Sequence, residues 1–405
     1  MADANQKFVV VPHAGPSKVP AAQRVGDFGE IYAAYQAAAA QGQSSRCAQC
    51  GVPFCQSGCP LENNIPDWLR LAAEGREEEA WHQAEATSTM PEICGRICPQ
   101  DRLCEGACTL EQAGWETVTI GSVEKPVVQR RIDRLVEGGV AFRLGVEIGV
   151  DVAFADLRAN HDAVLIATGV YKAKRLSVPG CGSGGVTAAL DYLIASNRKG
   201  LGDSVPAFDD GPLNAAGRRV VVIGGGDTAM DCVRTAVRQG AASVTCLYRR
   251  DRDNMPGSAR EVTNAEEEGV VFEWLAAPRG VLGDAGRVTG VRASRMALAA
   301  QAADGRWSVE PVPGGEFDVA ADMVIEALGF DAEDIPAGFA TSDLAVTDRG
   351  TVWTAGATGA TTLEGVFAAG DIVRGASLVV WAVRDGQDAA AEIDTWLTSR
   401  EQAAA

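Results

Sequence analysis

Histidine is scarce in this chain: His13, His82 and His161 are the only three, and they lie far apart. A metal centre built on imidazoles is therefore not expected. Positive charge is also in deficit, since 36 Lys and Arg face 54 Asp and Glu for a net charge of −18. That argues against nucleic-acid binding, because neutralising phosphates takes clustered Lys and Arg. An acidic surface suits an anionic membrane equally poorly, although it can match a basic patch on another protein. No run of about 18 or more apolar residues is free of charge, so no membrane span is expected. Met1 to Lys7 carries no basic-then-apolar targeting pattern. Together these absences point to a cytoplasmic protein, in a compartment where disulfides are rare. Eleven cysteines then need another explanation.

With 405 residues and 46 % hydrophobic composition, the chain has room for two or three globular domains. Its two parts differ in pattern. Up to about residue 125, eight of the cysteines sit among Ala- and Glu-rich stretches. Helices are expected there over 28–40 and 65–87, the second because Leu69, Ala72 and Ala73 recur at helical spacing. Pro53, Gly58, Pro60, Pro99 and Gly106 punctuate the loops between them. From about 126 onward, short apolar runs at 163–166, 220–223, 244–247, 323–325 and 366–369 alternate with helical segments. Continuous apolar strands separated by helices indicate a parallel sheet buried on both faces. The stretch 198–217 reads as a linker, 281–318 as an antiparallel excursion, and 399–405 as a frayed end.

The cysteines form two compact runs, Cys47, Cys50, Cys55 and Cys59-Pro60, then Cys94, Cys98-Pro99, Cys104 and Cys108. A [4Fe–4S] cluster needs four soft anionic ligands, and closely spaced cysteines on loops supply three of them. In two-cluster ferredoxins the last cysteine of a run, followed by proline, ligates the other cluster. Both runs here contain a Cys-Pro step, so a similar crossing is expected. Zinc is the alternative, but structural zinc sites favour two short pairs across a longer spacer. Cys181, Cys232 and Cys246 are isolated and read as packing residues.

Residues 218–231 read as a strand entering a glycine-rich turn and a helix. Gly224 permits a tight turn, Gly225 extends it, and Gly226 lets the backbone approach a pyrophosphate. The helix beginning at Asp227 and Thr228 offers free N–H groups to the phosphates. The following strand, 243–247, ends in Tyr248-Arg249-Arg250 rather than in an acidic residue. Arg249 and Arg250 suit the 2′-phosphate of NADPH better than the bare ribose of NADH. Two further pieces suit a flavin. The strand ending at Thr168-Gly169 lets backbone approach a cofactor, and Gly370-Asp371 ends another strand with an acid for a hydroxyl. The segment from Ser377 through Leu378 would start a helix aimed at the flavin ring.

Taken together, the cysteine runs, the Val220–Asp231 segment, Tyr248–Asp251 with Met255–Glu261, and Ala368–Trp381 resemble the small (β) subunit of bacterial NADPH-dependent glutamate synthase. The likeness covers nearly the whole chain, and related modules occur in dihydropyrimidine dehydrogenase and NADPH–ferredoxin oxidoreductases. It implies an α/β protein: a helical domain over 1–125 with two [4Fe–4S] clusters, then two Rossmann-like dinucleotide-binding domains. Residues 126–200 plus 320–405 would bind FAD, and 201–319 NADPH. It also implies a hetro-oligomer: an electron-input enzyme subunit that oxidises NADPH for a large (α) subunit making L-glutamate from L-glutamine and 2-oxoglutarate. An NADPH:ferredoxin-type oxidoreductase with another partner is the alternative. By the family's crossing pattern, Cys47, Cys50, Cys55 and Cys108 would hold one cluster, and Cys59, Cys98 and Cys104 the other. Cys94 or Glu124 would complete the second. No side-chain acid or base is assigned a catalytic role, since transfer between stacked rings depends on positioning.

The chain departs from the resemblance in one place. The family carries a G-x-G-x-x-G unit for the ADP half of FAD between the cysteine domain and the helix starting near Val127. Here Ile120–Lys125 runs directly into Pro126. Either roughly 30 residues or more are deleted, or the sequence closes over residues it does not record. The second is favoured, because a deletion would expose apolar surface.

Overall fold

The computed structural model describes residues 4–120, 128–301, 305, 307–356 and 359–404. The chain divides into two compact units, each drawing on non-contiguous segments. One comprises Met1–Ser17, Tyr32–Tyr171 and Asp331–Ala405, the other Lys18–Ile31 and Lys172–Phe330.

The second unit is built on a five-stranded parallel sheet. Its order is Val186–Ala188, Met323–Glu326, Arg219–Ile223, Ser243–Tyr248 and Val271–Trp274. Successive side chains of a strand point to opposite faces, and here both faces are covered. Val220, Val222, Met323 and Ile325 pack against helical residues such as Tyr192, Met230 and Val262. Val221, Ile223 and Val324 pack instead against Val281, Val288 and Val291, which belong to an antiparallel sheet of Ala276–Asp284, Arg287–Gln301 and Trp307–Ala320. That explains why the strands read as unbroken apolar runs. It also matches the antiparallel excursion expected over 281–318, with wider limits. The supposed linker at 198–217 is not one: Val205, Phe208 and Ala215 are buried in this unit's core, so the segment is part of the fold.

A buried ion network ties the Lys18–Ile31 segment into the same unit. Arg24 is 2 % exposed. Its guanidinium contacts Glu268 at 2.8 Å and Glu267 at 2.6 Å and donates to the Asn264 carbonyl. Glu268 also meets Arg234 and Arg238, so no member of the cluster is an isolated buried charge.

The first unit contains the cysteine region and a short parallel pair, Val164–Ile166 with Val366–Ala368. The helix expected over 65–87 is two helices, Ile65–Ala73 and Glu77–Glu85. Gly75 (φ +77°) ends the first by taking the left-handed conformation that glycine alone adopts cheaply. The helix expected over 28–40 is displaced to Ala37–Ser44. Before it, Val19 bonds to Ile31 and Ala33 to Ser17 through the backbone, so extended pairing overrides helix propensity. The C-terminus is not frayed from Ser399, because the helix Val379–Ala404 continues past it.

Candidate cofactor sites

The eight clustered cysteines face two separate cavities within the first unit. Cys47, Cys50, Cys55 and Cys108 line one; Cys59, Cys94, Cys98 and Cys104 line the other. Each run thus gives three thiols to one cavity and its last to the other. Local backbone makes the exchange possible. Cys59 follows the short helix Phe54–Ser57, while Cys98 caps the helix Pro91–Ile97 just before Pro99. A Cβ on Gly58 would lie 2.7 Å from the Ala107 methyl, so only glycine lets the two runs lie this close beside Cys59 and Cys108. Glu124, the alternative ligand, lies outside the described residues, whereas Cys94 lines the cavity with its three partners.

All eight thiols are free. Among the described residues, no three His, Cys, Asp or Glu side chains are close enough to share one metal ion. Four thiols lining one cavity supply the ligand set that a four-iron cube needs. Burial, with neighbouring thiols adding to it, pushes Cys47 up to about 11 and Cys55 up to about 12, and pushes Cys104 up as well. Cys94 goes the other way, held down by its hydrogen bond with the Cys98 thiol.

Beside the second cysteine cavity lies a larger one of about 570 Å³, within the range of small-molecule sites. Cys59 lines both. Its other walls include Ala368 and Ala369 at the end of the strand 366–368, Thr354, Arg374, Trp381 and Arg384. None of the flavin residues expected from sequence, Thr168, Gly169, Gly370, Asp371 and Leu378, is among the residues that line this cavity. Gly370 (φ +76°) starts the turn after the strand, and Asp371 accepts a hydrogen bond from the Ser377 hydroxyl at 2.7 Å. Gly169 (φ +72°) faces the Tyr171 ring, at 3.2 Å from an added Cβ, and Thr168 beside it is exposed. Leu378 packs instead against Leu61, Cys98 and Val380. Sequence reasoning missed Arg374 and Arg384. Arg374 pairs with Asp385 and lies over the Trp381 ring; Arg384 donates to the Pro60 carbonyl. The only signal for them was their place around the Trp381 motif. For the ADP half of FAD, the described residues of this unit contain no glycine-rich strand–turn–helix.

The glycine turn in the second unit is complete. Gly224 has φ +151°, and a Cβ there would sit 2.2 Å from the Ala327 carbonyl oxygen. Gly225 lies under the Tyr248 ring, 2.3 Å from an added Cβ. Gly226 caps the helix Asp227–Arg238 and meets nothing within 4 Å, which leaves its face open to a phosphate. Asp227 is turned aside, accepting the Ser258 N–H at 2.8 Å, while the Gly257 N–H bonds to the Gly225 carbonyl. The Met255–Ser258 turn therefore clamps the loop, a role its sequence did not reveal. Thr228 is half-buried in the first helical turn. The two arginines differ. Arg250 donates to the Trp307 carbonyl at 2.6 Å, whereas Arg249 is exposed with no partner among the described residues. Arg252, just beyond, pairs with Glu266.

Comparison with known proteins extends this picture. Residues 24–135 match the family of dihydropyrimidine dehydrogenase domain II, 4Fe-4S cluster. Residues 80–386 match the pyridine nucleotide-disulphide oxidoreductase family. The glutamate synthase [NADPH] small chain of Azospirillum brasilense is 48 % identical over 475 residues, covering 99 % of this chain and 98 % of that one. The same small chain from Escherichia coli is 37 % identical, over 96 % and 98 % of the two chains. The first alignment runs over 475 residues against 405 here, so that relative carries residues this chain lacks. Among solved structures, Mycobacterium tuberculosis FprA in complex with NADPH matches with a TM-score of 0.51 and 20 % identity, over 64 % of this chain and 69 % of that one. At that identity the likeness concerns the fold.

Proposed function

The chain belongs to the family of glutamate synthase [NADPH] small chains, NADPH-dependent oxidoreductases with a 4Fe-4S domain, and on that premise we propose that it is the electron-input subunit of such an enzyme. It would oxidise NADPH and deliver electrons to a large subunit that forms L-glutamate from L-glutamine and 2-oxoglutarate, in the cytoplasm. One observation carries the reading: Cys59 lines both a four-cysteine cavity and the large cavity at the end of the strand 366–368. A nucleotide-fed site and a thiol cage thus share a wall.

The residues divide the work. Gly224, Gly225 and Gly226 bring backbone close to the NADPH pyrophosphate, Asp227 and Thr228 open the helix that faces it, and Arg249 meets the 2′-phosphate. Arg250 shapes the edge of the pocket through Trp307. The eight cysteines hold two [4Fe–4S] clusters, four thiols each. Thr168, Gly169, Gly370 and Asp371 border the ring end of FAD, and Leu378 supports them from the cysteine side. When bound, flavin accepts electrons in pairs and iron–sulfur clusters carry them singly. Among the described residues no helix is long and apolar enough to cross a membrane.

The test is reconstitution with the large subunit. Glutamine- and 2-oxoglutarate-dependent NADPH oxidation by a stable complex is expected. Oxidation that needs only a ferredoxin-type acceptor, without complex formation, would replace this reading with the oxidoreductase alternative. Zinc without acid-labile sulfide in the purified protein would sink the cluster assignment.

A further inference from the structure

Tyr248 ends the strand Ser243–Tyr248 beside the glycine turn and is 6 % exposed. Its ring is held by neighbours: Gly225 lies against it, and the Trp274 ring meets it edge-on with centroids 6.3 Å apart. The hydroxyl reaches across the loop that follows and donates to the Asn254 carbonyl at 2.9 Å. That bond closes residues 249–253 into a ring of chain. Inside it, Asp251 accepts from the Asn254 N–H at 3.0 Å and from its side-chain amide at 2.6 Å. Just beyond it, Met255 is buried in the core of the unit. A buried hydroxyl needs a partner wherever it lies. Here the partner sits on the far side of the loop that begins with Arg249.

The other arginines of this loop are already engaged. Arg250 donates to the Trp307 carbonyl, and its own carbonyl accepts the Leu275 N–H. Arg252 pairs with Glu266 and reaches the Thr263 hydroxyl. Arg249 is exposed and has no partner among the described residues, so its guanidinium is the one left for a ligand. Ordering a mobile loop at the moment of binding costs affinity, and a loop already held shut avoids that cost. We infer that the Tyr248 hydroxyl sets the coenzyme preference: by closing the 249–254 loop it presents Arg249 to the 2′-phosphate of NADPH. The ring alone makes the Gly225 contact, so losing the hydroxyl spares the part of binding that NADH shares. The inference deepens the NADPH reading proposed above and rests on it. Tyr248 is a positioning residue, because it acts through Arg249 and touches no reacting atom.

The experiment is calorimetric titration of the full chain with NADP⁺ and, separately, NAD⁺, with an unfolding midpoint measured on every variant. Tyr248→Phe is expected to weaken NADP⁺ binding about fivefold, the worth of one hydrogen bond, and to leave NAD⁺ within about twofold of the parent. A double-mutant cycle separates positioning from mere structure. In an Arg249→Ala background, Tyr248→Phe should change NADP⁺ affinity by no more than about twofold, because the group it positions is gone. Equal losses for both coenzymes, a full further loss in the Arg249→Ala background, or a Tyr248→Phe chain that does not fold would overturn the inference. If Arg249→Ala weakens NADP⁺ as expected and Tyr248→Phe matches the parent, the inference fails alone. If Arg249→Ala leaves NADP⁺ binding unchanged, the 2′-phosphate contact proposed above fails and takes the inference with it.

Discussion

Two regions of the chain carry parallel strands, and they are finished to different degrees. In the second unit five parallel strands are covered on both faces, and residues such as Val222 and Ile325 have no exposure. Among the described residues of the first unit only Val164–Ile166 and Val366–Ala368 pair as strands; Leu165 in the first of them is 38 % exposed, and Leu144 and Val150 reach 85 % and 74 %. A parallel sheet is stable only when both faces are buried, and a row of exposed apolar residues marks a surface meant to be covered. The comparison teaches that a glycine-rich turn works as part of a closed sheet: where the sheet is whole, the turn is whole.

The strongest way to break this comparison is to weigh the native polypeptide and count its flavin. A mass above 42.2 kDa with one flavin per chain is expected. A polypeptide of the 405 residues alone should bind NADPH and fail to retain flavin. Stoichiometric flavin at 42.2 kDa would show that two strands suffice.

Next in size is Gly224→Ala. The added methyl meets the Ala327 carbonyl at 2.2 Å, at a φ of +151°. A loss of roughly 2–4 kcal/mol is expected in urea unfolding, with NADPH binding lost alongside. Gly226→Ala sharpens the point, because nothing lies within 4 Å of the new methyl. Stability should change by no more than about 1 kcal/mol, while NADPH affinity falls about tenfold or more as the backbone is held off the phosphates.

Arg249→Ala should cost about 1–3 kcal/mol of NADPH binding through a lost charge-assisted contact, leave NADH binding nearly unchanged, and thereby narrow the coenzyme preference. Equal losses for both coenzymes would move the 2′-phosphate contact elsewhere, Arg250 being the first candidate.

The smallest effect lies at the base of the complete sheet. The Arg219 guanidinium and N–H hold the Asp322 carboxyl down at about 2, against 3.8 for an ordinary Asp. Because the folded value is the lower one, the stabilisation is fully present above about pH 4 and disappears as pH falls through 2. Both side chains are over a third exposed, so Asp322→Asn should cost only about 0.5–1 kcal/mol at pH 7. Chemical unfolding at pH 7 and pH 2 checks the sign.

Much of this architecture was legible because burial on both faces writes itself into sequence as unbroken apolar runs, as at Val220–Ile223 and Met323–Ile325. The partition of the cysteines was foreshadowed only in part: Cys59, followed by Pro60, lines the cavity of the second run, but Cys98, followed by Pro99, stays with its own run and Cys108 crosses instead. Features set by distant contacts were not legible. Nothing in Ser44-Ser45-Arg46-Cys47 shows that this arginine is buried. The tie between Arg250 and Trp307 spans 57 residues, and no local pattern encodes it. The break at Gly75 was visible as a glycine, but high helix propensity on either side masked it. Residues 28–33 were misread for the complementary reason, because their partners, such as Ser17 and Val19, precede them in an unremarkable stretch.

The Arg24 cluster bears on how the chain is made. Arg24 leaves the ribosome early, whereas Glu268, its buried counter-charge, is synthesised only after most of the chain. Until then the guanidinium has no anion to enter the interior with, so the nucleotide-binding unit cannot close from its own contiguous stretch alone. Pairings of such long sequence separation slow folding and leave an open intermediate exposed to aggregation. A shortened polypeptide starting after Ile31 would carry the same liability permanently, with Glu268 left to Arg234 and Arg238 and an empty groove where Arg24 belongs. Soluble production of the nucleotide-binding unit by itself is therefore expected to require residues 18–31, supplied in the same chain or added as a separate peptide.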